Sequence, residues 1–275
     1  MDRAPLCCIG KGRPTQMCNL YSVMTNREAI RRMFREPLLF SDRVGNMQPQ
    51  PGVFPDYEAP IVRQTVAGPK LTTARWGMPT PRSILDKEAQ KRADKLAAKG
   101  KPYDLEQLRR LAPDIGVTNI RNTASSHWRR WLGPENRCVV PFTSFSENET
   151  LEDGSHPPVW FAAGEDRPLM FFAGIYVTGW ESVRKAKTGV ETADLFGFLT
   201  TEPNAIVAPI HAKAMPVILT TSEEVECWLT APANEAMRLQ RPLPDGALKI
   251  VARGERRGDP PDAAAAPQES QATLF

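Results

Sequence analysis

Twenty-six prolines punctuate this chain of 275 residues, and the apolar runs between them are short. Proline fixes φ and has no amide donor, so it interrupts helices and central strands alike. Short runs rich in Val, Ile, Phe and Thr, bounded by Pro, Gly or charge, are what strands joined by turns look like. Such runs predict strands at 59–65, 70–76, 138–141, 159–163, 169–177, 195–200 and 215–219. Helical spacing of Ala29, Ile30 and Met33 predicts a helix over 25–34, capped by Thr25 or Asn26. Further helices are expected at 86–99, at 104–111, at 223–229 behind a Ser222 cap, and near 234–239. Strands and helices mix without βαβ alternation and without an internal repeat. The expected fold class is therefore α+β, a single β-rich domain around a mainly antiparallel sheet with peripheral helices.

Composition narrows the function classes. Hydrophobic residues make up 41% and charged residues 24%, so a sizeable core is feasible and wholesale disorder is excluded. The longest apolar stretch, around 168–177, is half of the roughly 20 residues a membrane-spanning helix needs. The apolar patch at 6–10 is shorter than the roughly 7–15 residues of a signal-peptide core, so the expected location is the cytoplasm, with no membrane partner. Five cysteines (Cys7, Cys8, Cys18, Cys138, Cys227) are an odd number without a CxxC pair, which argues against a disulfide framework and a zinc knuckle. Three histidines (His127, His156, His211) are too few for a His-rich metal site, so no metal is expected. A net charge of +3 is too mild to mark a nucleic-acid binder by itself. Residues 82–118 are mostly polar, hold nine basic and six acidic side chains, and read as a helical insertion. From 253 to 275 the sequence is rich in Ala and Pro and lacks periodicity, as a disordered tail would be.

Four places could carry chemistry. Met17-Cys18 is the first. A chain beginning at Cys18 would carry a free α-amine beside a thiol. Such an aminothiol condenses with an aldehyde to an imine, and the thiol then closes a thiazolidine. Equally, Cys18 could be a small buried residue opening a strand. The second place runs from Asn119 and Arg121 to His127-Trp128-Arg129-Arg130-Trp131. Arginines interleaved with aromatics suit a phosphate backbone and stacked bases, or a helix with Trp in the core and Arg in water. The third is Glu147, beyond the apolar run 137–145: a general acid/base, or a surface carboxylate before a polar loop. The fourth is His211, just ahead of the apolar run 214–219: a proton shuttle, or a structural histidine bonded to a carbonyl. Spacing alone leaves each pair of readings open.

Taken in order, the motifs MCNLYS (17–22), NMQPQ (46–50), RWGMPTP (75–81), NIRNT (119–123), RCVVPFTSFSE (137–147), FFAGIYVTGW (171–180), FLTTEPN (198–204) and IHAKAMPVILTT (210–221) resemble the SOS response-associated peptidase (SRAP) family. That family comprises proteins that crosslink to abasic sites in single-stranded DNA. The resemblance implies a barrel-like sheet and a positively charged channel for single-stranded DNA. It implies catalytic roles for Cys18, Asn119, Glu147 and His211, and DNA contacts from Arg121. Trp76 and Gly77 fall in the family's Trp-Gly motif beside the site and are expected among the DNA-binding residues. Arg129 and Arg130 join the expected DNA contacts through the Arg-Trp pattern. Two positions depart from the family: Leu20 stands where an arginine touches DNA, and Asn148 where an aromatic often follows the glutamate.

The expected activity is covalent shielding of an abasic site through Cys18. An autopeptidase step would expose Cys18 from a leader at 1–16, with residues 17–252 as the domain. A weak lyase side reaction is possible, since imines promote β-elimination. No organic cofactor is implied, and a monomer is expected. The rivals are a Cys-His peptidase acting on other peptides through Cys18 and His211, and a non-catalytic single-stranded DNA binder.

Overall fold

The computed structural model describes residues 19–185 and 187–254. In chain order its elements begin β1 (Leu20–Val23), α1 (Arg27–Arg32), β2 (Leu39–Phe40), β3 (Gln50–Val53), β4 (Glu58–Thr65) and β5 (Gly68–Trp76). Then come α2 (Arg82–Ala97), α3 (Leu105–Arg110), β6 (Asn119–Ile120), α4 (Ser126–Arg129), β7 (Arg137–Phe142), β8 (Ser144–Asn148) and β9 (Pro158–Ala162). The last are β10 (Met170–Val183), β11 (Val190–Thr201), β12 (Met215–Pro216), β13 (Ile218–Leu219), α5 (Ser222–Thr230), α6 (Ala233–Ala236) and β14 (Lys249–Arg253).

The larger sheet runs β12-β11-β10-β7-β4-β5-β2, and a further pairing joins β11 back to β5. That pairing closes β11, β10, β7, β4 and β5 into a five-stranded ring, leaving no open edge among them. The fold is α+β with a barrel-like sheet, as expected. Most ladders are antiparallel, but β5 and β6 lie parallel to β11 and β2 lies parallel to β5. A second sheet, β14-β9-β8-β1-β3, packs against the ring. The chain passes from ring to second sheet between Phe142 and Ser144, where the Thr143 amide donates to the Ser22 carbonyl at 2.8 Å.

Aromatic rings fill the space between the two sheets. Phe172 stacks on Phe142 with centroids 3.8 Å apart and on Phe198 at 4.4 Å. Tyr21, from the second sheet, sets its ring edgewise to Trp76, Phe172 and Phe198. Each such pair adds about 0.5–1.5 kcal/mol beyond area burial, so the cluster rigidly ties β1 and β8 to the ring. A separate apolar cluster on the outer side gathers Trp128, Trp131 and Trp228 under α4 and α5. There the indole of Trp228 donates to the carbonyls of Cys138 and Gly174.

Several expected elements shift. The helix expected behind Ser222 begins one residue earlier, because Thr221 is the cap: its hydroxyl accepts from the Glu224 amide. The run 215–219 breaks at Val217, whose amide bonds to Leu199 and whose carbonyl bonds to Ala173. It therefore forms two short strands paired to different neighbours. The insertion forms α2, which buries Ala89 and Ala93, and α3, which packs against α2. Asp104 caps α3, and Gly100 at φ +63° ends the turn after α2. The leader at 1–16, Met17, Cys18 and the tail beyond 254 lie outside the described residues. Among the described residues no helix is long and apolar enough to cross a membrane.

Candidate functional site

Asn119, Glu147 and His211 are all buried, at 9%, 3% and 9% exposure. Each is delivered by a different piece of the fold. Asn119 opens β6, which exists because its backbone pairs in parallel with β11, Asn119 opposite Phe198. Its side-chain amide donates to the Thr118 hydroxyl at 2.9 Å. Glu147 lies in β8, between β1 and β9, opposite Val159. It shares a strand face with Phe145, whose ring belongs to the intersheet cluster, so it faces the gap between the sheets. The surface-carboxylate reading is thereby corrected: Glu147 is inside a sheet, not on a loop.

His211 comes from the connection between β11 and β12, which Asn204 organises by accepting from the amides of Ile206 and Val207. The Nδ1 of His211 lies 3.0 Å from the Ala214 carbonyl, which can only accept. In the neutral ring the proton therefore sits on Nδ1, which leaves the lone pair on Nε2. That Nε2 is buried with no hydrogen-bond partner among the described residues. The carbonyl contact expected of a structural histidine is present, and it leaves Nε2 unbonded among the described residues.

The residues flanking three of the expected catalytic positions line one cleft of about 720 Å³, whereas Asn119, Glu147 and His211 are not themselves part of its lining. Asn19 and Leu20, after Cys18, line it together with Thr118, before Asn119, and Asn148, after Glu147. Leu20 pairs with Ser146, the neighbour of Glu147. The two residues that depart from the family, Leu20 and Asn148, are thus both wall residues of this cleft. Cys18 itself lies outside the described residues. Of the other cysteines, burial raises the thiol pKa of Cys138, and burial followed by Glu235 raises that of Cys227, so neither is an activated thiolate. Cys7 and Cys8 also lie outside the described residues.

The basic and aromatic candidates separate. Arg121, just after β6, is exposed and bonds to Glu202 at 3.2 Å, so its charge is already partly answered. Trp76 does not offer its ring to DNA. It is fully buried, stacked on Phe198 and Phe196, with its indole donating to the Thr118 carbonyl at 3.2 Å. Its place is beneath the cleft, holding the residue before Asn119. Gly77 likewise acts through backbone geometry: at φ +142° it lets residue 116 approach it closely. Arg129 and Arg130 are exposed, yet neither lines the cleft. Trp128 and Trp131 are core residues, and the Arg130 guanidinium lies 3.9 Å over the Trp131 ring. The Arg-Trp stretch is thus the amphipathic helix with solvated arginines, and its indoles are closed to bases.

Arg184 escaped sequence reading. Its side chain is 1% exposed, borders the cleft, and donates to the carbonyls of Asp114 and Gly77. Asp114 and Asp56 lie 3.8 and 3.7 Å from it and offset its charge. Burial still pulls the guanidinium pKa down. A lone Arg in the segment VRKAKTG gives no signal of this, because its partners are 70 and 107 residues away. Among the described residues no group of three His, Cys, Asp or Glu side chains is arranged to hold a metal.

Comparison with known proteins adds the following. A family model described as SOS response associated peptidase (SRAP) matches residues 113–253. Among solved structures, one protein from Bordetella bronchiseptica is 22% identical, covers 84% of this chain and 97% of its own, and superposes with a TM-score of 0.55. A protein from Bacteroides thetaiotaomicron is 22% identical, with coverage of 84% and 90% and a TM-score of 0.56. A phage-related protein from Bordetella bronchiseptica is 16% identical, with coverage of 84% and 92% and a TM-score of 0.56. At these identities the likeness is one of fold. No curated protein matches the chain.

Proposed function

The chain belongs to the SOS response associated peptidase family, and from that premise we propose that it captures abasic sites in single-stranded DNA as a thiazolidine through Cys18. At the level of the family it is a peptidase-type enzyme tied to the DNA-damage response. The observation that supports the finer reading is the burial of the polar Asn119, Glu147 and His211 together with a cleft lined by Asn19, Leu20, Thr118 and Asn148, the chain neighbours of Cys18, Asn119 and Glu147.

The chemistry runs in two bond-forming steps. The α-amine of Cys18 adds to the aldehyde carbon of the ring-opened sugar, and water leaves to give an imine. The Cys18 thiol then adds across the C=N bond, its sulfur to carbon and its proton to nitrogen, closing the ring. Glu147 passes protons to the departing ring oxygen and hydroxyl. A carboxyl group kept out of bulk water is suited to such exchange. His211, with Nδ1 committed to Ala214, uses Nε2 to help open the sugar and to assist reversal. Asn119 holds the α-amine or the aldehyde oxygen by hydrogen bonds. The free amine requires that the chain begin at Cys18. Attack of the Cys18 thiol on the preceding carbonyl would expel the α-amine and leave the leader as a thioester on sulfur. Water would then hydrolyse that thioester, releasing the leader as a carboxylate and freeing the thiol, with Glu147 and His211 moving the protons of this autopeptidase step. Arg121 supplies a phosphate contact, which must compete with Glu202.

The test is crosslinking of abasic single-stranded DNA, followed on a denaturing gel. Cys18→Ala is expected to abolish the adduct. Glu147→Gln and His211→Ala are expected to slow its formation or reversal by roughly 10²–10⁴-fold while the protein stays folded. A normal yield of adduct from Cys18→Ala refutes the reading, and wild-type rates from both other variants refute the proton-transfer roles.

A further inference from the structure

Phe54 lines the cleft and Tyr57 packs beside it, with 38% and 54% of their surfaces exposed. Exposed aromatic rings side by side forgo burial, and where they border a site they mark a binding surface. Their centroids are 5.5 Å apart and their planes meet at 61°, so the rings pack edge to face as one aromatic wedge. The wedge is rigid. Tyr57 donates its amide to the Phe54 carbonyl at 3.0 Å, and the loop is tied to Trp76 by two backbone bonds of 2.8 and 2.9 Å. Between the rings, Asp56 holds φ at +72°.

Charge and position identify the occupant. Asp56, the carboxylate of this loop, lies within 3.5–3.7 Å of Arg75, Arg184 and Lys185, so it is answered and does not repel a polyanion. Lys185 keeps 70% of its side chain in water, so beside its pairing with Asp56 it can still meet a phosphate. Inward, the Phe54 ring and the Leu20 side chain both border Gly52, where an added Cβ would sit 3.2 and 3.5 Å from them. The apolar surface thus runs from the rim to Leu20, two residues beyond Cys18.

We propose that the Phe54–Tyr57 wedge is a stacking site for the nucleobase that flanks the abasic position. The proposal rests on the single-stranded DNA reading above. An abasic position deprives its neighbour of one stacking partner, and an aromatic face replaces what is missing. Base–aromatic stacking tolerates any base, since every base has a π-face. Holding the flanking base also fixes the sugar next to it, which brings the aldehyde within reach of Cys18.

The test uses single strands carrying a tetrahydrofuran in place of the abasic sugar, which binds without reacting, with a fluorescent adenine analogue beside it. Wild-type protein is expected to quench the analogue on binding. Phe54→Leu and Tyr57→Leu keep apolar volume but remove the π-face. Each is expected to lose the quench and to bind about 5- to 150-fold more weakly, with the salt dependence of binding unchanged. When the flanking bases are also replaced by tetrahydrofuran, wild type and variants should bind alike. Melting temperatures near wild type establish that the variants fold. Unchanged quenching and affinity in both folded variants overturn the wedge, as does an equal loss with the base-free strand. Crosslinking of a natural abasic strand by wild type, run in parallel, separates the two claims. Its absence with quenching intact removes the covalent reading and keeps the stacking site, whereas crosslinking with unaltered variants does the reverse.

Discussion

Gly116→Ala is expected to be among the costlier single-methyl changes in the molecule. Gly116 has φ +81°, and a Cβ there would lie 2.6 Å from Arg184 Nη1, 2.8 Å from Gly77 Cα and 2.9 Å from the Gly77 carbonyl carbon. Two of those three atoms are backbone and cannot swing away. The backbone is held from both sides: Met78 and Val117 exchange bonds of 2.9 and 2.7 Å, and Arg184 clasps the carbonyls of Gly77 and Asp114. A side chain in the left-handed region costs about 1–2 kcal/mol. Forcing extra volume into a packed crossing costs about 1–3 kcal/mol more. The sum, roughly 2–5 kcal/mol, is a large part of the roughly 5–15 kcal/mol that keeps a domain folded. Gly246→Ala supplies the control, because Gly246 has φ +85° with no atom within 4 Å of its added Cβ. It should cost only the conformational part, about 1–2 kcal/mol. Urea unfolding of both variants measures the difference. Gly116 lies three residues before Asn119, so its variant should also crosslink more slowly under native conditions, while Gly246→Ala should not. Equal destabilisation by the two substitutions would refute the claim that the crossing is closed by contact.

Two other perturbations probe charge. Glu202→Gln frees Arg121 from an exposed ion pair worth about 0–1 kcal/mol, so single-stranded DNA should bind up to about fivefold more tightly. Arg121→Ala should weaken binding and flatten its salt slope by about one unit; an unchanged slope removes Arg121 from the DNA path. His127 donates Nε2–H to the Pro79 carbonyl at 2.9 Å and turns Nδ1 toward Arg130. Burial first, and then Arg130, hold its pKa below the usual value, despite the opposing pull of Pro79 and Asp114. A depressed histidine stabilises the fold above its unfolded pKa, about 6.5, and that stability is lost as pH falls through the lower folded value. Stability of His127→Gln should therefore fall less steeply than wild type on acidification, and parallel pH profiles would contradict this.

What could be read from sequence follows physical lines. The strands at 59–65, 70–76, 138–141 and 195–200 were legible because they combine β-branched or aromatic residues with Pro, Gly or charge at their ends. β8 was not, because Ser144, Ser146 and Glu147 are polar yet buried, so no alternation marks a face. β6 has two residues and exists only through its pairing with β11. Arginine and tryptophan in one stretch fit both a stacked strand and a packed helix, so Trp128 and Trp131 stayed ambiguous, and Trp76 was placed only by its motif. Burial decided for packing. Arg184 was invisible because its partners are carbonyls, which every residue carries. Asn119, Glu147 and His211 were recognisable by motif order, but the cleft itself comes from the register that sets Leu20 opposite Ser146.

The intact mass of the crosslinked species tests the central claim most directly. The full chain and a chain starting at Met17 are each incubated with an abasic single strand and analysed by mass spectrometry. The account predicts one product from both: protein beginning at Cys18, plus the strand, minus one water. Only that species has the free α-amine, because an amide nitrogen cannot form the imine. An adduct that retains residues 1–17 and forms as readily as the shorter one would contradict the aminothiol mechanism.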